Sequence, residues 1–193
     1  MRKILFLSAF AISLLANAQT TEDSQESTSS VSERKNDIML DPITLIGAPA
    51  INISYERLLS EQFGVGFQAI QYLGNRNIDD DDDLSFGQYS PYFRMYFGRK
   101  YAAGFFVEAF VPITTTKYYE YHYYSNDSGM YGYENREEKN VTTPGVGVGF
   151  GGKWLTRSNI LFELSFGIAR RFGNTDYTSD VTAKWMTGIG YRF

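Results

Sequence analysis

The sequence predicts an all-β fold, a closed antiparallel up-and-down barrel of eight membrane-crossing strands. Three observations predict it. Val181 to Phe193 alternates with period two: Val181, Ala183, Trp185, Ile189, Tyr191 and Phe193 share one face, while Lys184, Gly188 and Arg192 lie on the other. That is the pattern of a strand with different surroundings on its two faces. Tyrosine, phenylalanine and glycine are abundant, at 15, 15 and 18 residues, which suits strands carrying aromatic girdles. Finally, short connections at Leu59, Arg99 and Leu155 alternate with long ones at Gly74, Thr116 and Phe172. Antiparallel strands with their turns on one side of a bilayer and their loops on the other give this alternation.

Taken in order, the chain opens with Arg2 and Lys3, an apolar run from Ile4 to Leu15, and Ala16-Asn17-Ala18. A basic start, a short apolar core and a small-x-small end make residues 1–18 a signal peptide. There is no cysteine, which excludes a lipid-anchored cysteine and a disulfide framework. Residues 19–36 are rich in Ser, Thr, Glu and Gln, with little to bury, and are expected to form a disordered periplasmic linker. The barrel is expected over 37–193.

The first strand is expected from Asp37 to Ile46, although Pro42 lacks a ladder donor. The second, Ala50 to Leu58, sets Ile51, Ile53 and Tyr55 against Asn52, Ser54 and Glu56. Phe63 to Leu73 forms the third, with Phe63, Val65, Phe67 and Ala69 on one face. A polar loop with the run Asp79 to Asp83 follows. The fourth strand, Phe86 to Gly98, turns Tyr89, Phe93, Met95 and Phe97 outward, and Ser90, Tyr92, Arg94 and Tyr96 inward. The fifth, Ala103 to Thr115, places Glu108 opposite Phe105, Val107, Ala109, Val111 and Ile113. Thr116 to Lys139 reads as a long tyrosine-rich loop, or as strands extending beyond the membrane in a protruding hairpin. The sixth strand, Asn140 to Trp154, sets Val146, Val148, Phe150 and Trp154 against a stripe of glycines and Lys153. Asn159 to Arg171 is the seventh, and the Val181 stretch closes the set. These lengths are close to or above the roughly 9–11 residues that cross a bilayer at a tilt.

With the apolar face in lipid, the polar residues must share the lumen. The inward charges are Glu56, Arg94, Glu108, Lys153, Glu163, Arg171, Lys184 and Arg192. An eight-stranded barrel is just wide enough for side chains to fill, and unpaired buried charges are costly. A packed network of ion pairs is therefore expected rather than an aqueous channel. The inward glycines of the sixth strand are expected to permit curvature or close packing of large neighbours such as Tyr92 and Tyr96.

The signal peptide, the loop alternation and the Tyr191-Arg192-Phe193 end together resemble small eight-stranded bacterial outer-membrane barrels of the protein A and protein X type. The resemblance covers essentially the whole mature chain. It implies residence in the bacterial outer membrane, contact with its lipid and lipopolysaccharide, and delivery by the barrel insertion machinery, with Tyr191 and Phe193 as the insertion signal. Members of this class are structural barrels, adhesins, defence proteins or, occasionally, lipid-modifying enzymes.

Other chemistry is weakly supported. His122, Ser125 and Glu120 have the residue types of a hydrolytic group, but the stretch holds no nucleophile elbow and no recognisable oxyanion hole. It is read as solvated, and the chain as a non-enzyme. One histidine without cysteine does not make a zinc site, and no cofactor is expected. Gly147 to Gly152 matches G-x-G-x-x-G but lies within an alternating strand with no helix after it. The aspartate run lacks the spacing of a calcium loop. A net charge of −4 gives no reason to expect nucleic acid. Tyr121, Tyr123, Tyr124, Tyr131 and Tyr133 offer rigid contact area with polar tips, suited to an extracellular sugar or protein. The function expected is thus a structural or surface-interaction barrel. The alternatives are a secreted lipocalin-like carrier of small hydrophobic ligands, which needs the opposite polarity, a lipid-modifying enzyme, and a narrow pore.

Overall fold

The computed structural model describes residues 34–73, 86–125, 131–173 and 179–193, with the backbone alone at 86, 118–125 and 131–138. The expected signal peptide and most of the expected linker lie outside the described residues. So does the aspartate run.

Nine strand segments close into one antiparallel barrel: β1 Asn36–Leu40, β2 Ala50–Leu58, β3 Phe63–Tyr72, β4 Phe86–Tyr96, β5 Gly104–Phe110, β6 Ile113–Ser125, β7 Tyr131–Leu155, β8 Ile160–Arg171 and β9 Val181–Arg192. Each pairs with its chain neighbour, except that β4 and β7 each pair with both β5 and β6. These two segments are therefore one stave interrupted at Val111-Pro112, where proline has no ladder donor. Ladder contact continues on both sides, through Val111 N to Pro91 O (3.0 Å) and Gly145 N to Pro112 O (2.8 Å). The count is eight staves. Closure comes from β1 against β9, in register from Asp37 with Arg192 to Leu40 with Ile189. Asn36 and Phe193 exchange backbone hydrogen bonds of 3.0 and 2.8 Å at the end of that seam. No sheet edge remains around the closed part of the barrel.

The first stave departs from the expected strand Asp37 to Ile46. It starts at Asn36 and ends at Leu40, and Pro42–Gly47 forms a one-and-a-half-turn helix, α1. Proline at the first helical position and aspartate at the N-cap explain this. Asp41 accepts from Ile43 N at 3.1 Å and Thr44 N at 3.0 Å. Of the two forms expected for Thr116 to Lys139, the backbone takes the hairpin, pairing β6 with β7 from Lys117–Asn140 to Ser125–Tyr131, with a bulge between His122 and Tyr123.

Outside, the wall is apolar: Phe67, Phe93, Val148, Leu164, Phe166 and Ile168 are all at least 43 % exposed. Between Arg57 at one rim and Arg170 at the other, the described outward residues are uncharged. Inside, β7 provides room where it faces large side chains. A Cβ on Gly147 would stand 2.5 Å from Ala169 Cβ and 2.6 Å from both Ile168 O and Phe110 Cζ. One on Gly151 would stand 2.7 Å from Phe106 Cζ. The β7 glycines thus accommodate Phe106 and Phe110, whereas Tyr92 lies over Gly66 of β3.

Gly147→Ala is expected to cost about 1–3 kcal/mol through overpacking, read as a lower urea midpoint of the refolded barrel in detergent. Gly47→Ala, with nothing near its added methyl, should leave that midpoint unchanged or raise it slightly.

Candidate functional site

Alternation along β2, β4, β5, β7, β8 and β9 sends polar side chains inward at successive levels, and closure brings them together. At the centre stands Arg94 of β4. Its Nε donates to Glu108 Oε2 at 2.9 Å, its Nη1 to Glu56 Oε2 at 3.1 Å, and its Nη1 and Nη2 each to Glu163 at 2.8 Å. The guanidinium is also held between the rings of Tyr92 and Phe106, 4.3 and 4.2 Å from their centroids, a favourable place for a cation. Lys153 Nζ reaches Glu56 Oε2 at 2.5 Å and Asp37 Oδ2 at 3.1 Å. Lys184 Nζ lies 2.7 Å from Glu108 Oε1, over the rings of Phe110 and Tyr92. Tyr96 donates its hydroxyl to Glu56 at 2.8 Å.

Arg192 extends the network to the inner mouth, the end of the barrel where Asn36 pairs with Phe193. It grips Asp37 through Nε (2.7 Å) and Nη2 (2.9 Å) and donates to the carbonyls of Tyr101 and Ala102 at 2.8 and 2.9 Å. The β4–β5 turn is drawn across the opening, where Ala102 is buried with Leu58, Tyr96 and Phe106. The lumen cluster therefore sets Asp37, Glu56, Glu108 and Glu163 against Arg94, Lys153, Lys184 and Arg192, a balance of charge among buried side chains.

Of the residues expected in this network, the structure brings together Glu56, Arg94, Glu108, Lys153, Glu163, Lys184 and Arg192. Arg171 stands apart. It lies at the outer end of β8, where its backbone N donates to Asp180 O at 2.7 Å and its guanidinium to the carbonyl of Ser179. The strand runs out before Arg171 can reach the acids below it. Asp37 was absent from the expected set and is central. Its signal was the phase it shares with Met39 and Asp41 on the first strand.

A second buried cluster closes the wall where β1 stops short. Above Ile189, β9 has no β1 backbone opposite it, and side chains take the place of the ladder. Asp41 accepts from Thr187 N at 3.1 Å and from Thr187 Oγ1 at 2.7 Å. Asn52 and Gln68 donate to Trp185 O at 2.8 and 2.9 Å. Trp185 Nε1 donates to Thr44 Oγ1 of α1 at 3.0 Å. Ile43, Leu45 and Ile46 of α1 project outward, with Ile46 86 % exposed.

Tyr121, Tyr123, Tyr131 and Tyr133 sit on the β6–β7 hairpin, Tyr123 in register with Tyr133 and Ser125 with Tyr131. Tyr124 is opposite Gly132 and His122 opposite Asn135. Their side chains, with those of Glu120 and Ser125, lie outside the described residues. Tyr191 and Phe193 end β9 on the outer wall, half-exposed.

No protein-family model matches the chain, and no curated protein does. Among solved structures it is similar to the N-terminal β-barrel domain of Pseudomonas aeruginosa OprF, with a TM-score of 0.45 and 12 % identity over 83 % of this chain and 98 % of that one. It is also similar to the Yersinia pestis outer membrane protein Ail, with a TM-score of 0.38 and 18 % identity over 83 % of this chain and 99 % of that one.

Arg94→Met would strand Glu56, Glu108 and Glu163 without their shared cation. A loss of about 3–5 kcal/mol is expected, measured by equilibrium urea unfolding in detergent. Asp41→Ala removes acceptors from Thr187, Thr44 and Asn52. It should cost about 1–3 kcal/mol and speed amide exchange at Thr187 relative to the β7–β8 ladder.

Proposed function

We propose that this chain is an integral β-barrel of the bacterial outer membrane, with a packed lumen and a structural or surface-interaction role carried by its outer segments. The observation that carries the reading is polarity. Side chains facing out between the rims are uncharged and mostly apolar, while the charged side chains between the rims face in and pair with one another. In water this arrangement would leave a continuous apolar surface exposed. In hydrocarbon it is the stable one, because a closed barrel leaves no backbone edge unsatisfied. The half-exposed Tyr55, Trp154, Tyr191 and Phe193 lie near the inner rim, where aromatic residues favour the bilayer interface.

A carrier of small hydrophobic ligands needs an apolar interior. Here Arg94, Lys153 and their acids occupy the middle of the lumen, and the Ala102 turn crosses one mouth. The same filling opposes a pore. The tyrosine-rich β6–β7 hairpin extends past the last β4 pairing at Thr116, and it is the segment suited to meeting lipopolysaccharide, sugar or a partner protein outside the cell. Tyr121, Tyr123, Tyr124, Tyr131 and Tyr133 are proposed as its contact residues, and Tyr191 with Phe193 as the signal for the insertion machinery.

In isolated outer membranes the protein should run as a compact band that shifts on boiling. Absence from the membrane fraction, with no shift, would refute the assignment. In planar bilayers no sustained single-channel conductance is expected; steady openings would show that the ion-paired lumen conducts.

A further inference from the structure

We propose that the inner rim of the barrel is a docking surface for anionic phospholipid headgroups; the inference rests on the membrane reading above. This rim is the end where Asn36 pairs with Phe193 and where the short turns lie. Arg34, Lys35, Arg57, Arg99, Lys100 and Arg157 gather there, all at least partly exposed. Among the described residues of the rim, the exposed acidic side chain is Glu61. The cations come from separate places around the circumference: the approach to β1 with the end of β2, the β4–β5 turn, and the β7–β8 turn. They form a ring rather than one patch.

Two of them are fixed on the lipid-facing wall. Arg57 Nη1 donates to Asn36 Oδ1 at 2.9 Å, and the same oxygen accepts from Tyr55 OH at 2.8 Å. Arg34 Nη1 donates to Tyr191 OH at 3.3 Å. Neither guanidinium is satisfied by a carboxylate among the described residues. Both stand beside the tyrosines at the level where the apolar wall ends, which is the depth of lipid phosphates. Both charges are held against Asn36 and Tyr191 on the wall itself, where a headgroup at the bilayer surface meets them. The lumen acids are not available as counter-charges, because Arg94, Lys153, Lys184 and Arg192 already neutralise them. The unmatched ring therefore fits a phosphodiester carrying no compensating amine, such as that of a phosphatidylglycerol.

The test uses the full mature chain refolded into phosphatidylcholine vesicles with and without phosphatidylglycerol. Heat-shifted gel mobility reports barrel insertion, and spin-labelled lipids report the association preference at the protein surface. The barrel should insert in both vesicles. Phosphatidylglycerol should be preferred at the rim, with each rim cation contributing on the order of fivefold, and the preference should fall as salt is raised. In the variant R34Q/K35Q/R57Q/R99Q/K100Q/R157Q it should drop toward parity while the heat shift persists. Arg170→Gln, at the other rim, should leave it unchanged. Insertion without any headgroup preference, or a preference that the inner-rim variant retains, would overturn the rim assignment and leave the membrane reading standing. No heat shift in either vesicle would overturn both.

Discussion

The interaction on which the rest of the barrel depends is the contact of Arg94 with Glu56, Glu108 and Glu163. A barrel whose exterior is hydrocarbon-compatible must place its polar side chains within a lumen about as wide as the side chains themselves. Charges in so dry a space are tolerable only when each has a partner. Arg94 meets that condition for three staves at once, and Lys153 and Arg192 extend it through Asp37 to the first stave and the inner mouth. The network also fixes register. A slip of one residue on β4 would send Arg94 into lipid and bring Phe93 or Met95 into the ion cluster. A cation on the lipid face near the midplane costs about 2–4 kcal/mol, and the abandoned acids would add to that.

Closure has a second requirement at the outer half of the β1–β9 seam. The first stave ends at Leu40, so from Thr187 toward Val181 one side of β9 lacks a β1 backbone partner. Asp41, Asn52 and Gln68 supply the missing partners from side chains, and α1 covers them with Ile43, Leu45 and Ile46. The polar groups lie beneath an apolar cover, as they must where no water can satisfy them. The two buried clusters are thus of different kinds. One balances ionised groups of opposite sign, and the other substitutes side chains for a ladder.

Much of this was legible in the sequence because lipid and lumen impose opposite demands on neighbouring residues. Where both demands act, period two is sharp, and β2, β8 and β9 read directly. Where the strands run past the filled lumen the contrast vanishes while the hydrogen-bonded ladder continues. Lys117 to Ser125 and Tyr131 to Asn140 therefore look like loop by pattern but pair as strands. The helix after Leu40 was written in Asp41-Pro42, an N-cap followed by an N1 proline, yet the apolar run from Ile43 to Ile46 imitates a strand. Arg171 shows the limit of alternation as a guide. It fixes the face on which a side chain lies but not its height, and a charge at the right phase still needs a partner at its own level.

Compensation within the lumen has a consequence for the rest of the surface. A charge that already has its counter-charge at 2.5–3.1 Å offers little to a ligand, and the space around it is filled by Tyr92, Tyr96, Phe106 and Phe110. The middle of the barrel is therefore chemically quiet despite its density of ionisable groups. What remains uncompensated lies at the two ends, with cations around the inner turns and tyrosines along the β6–β7 hairpin. The ion-paired interior ties β1, β2, β4, β5, β7, β8 and β9 to one another across the lumen.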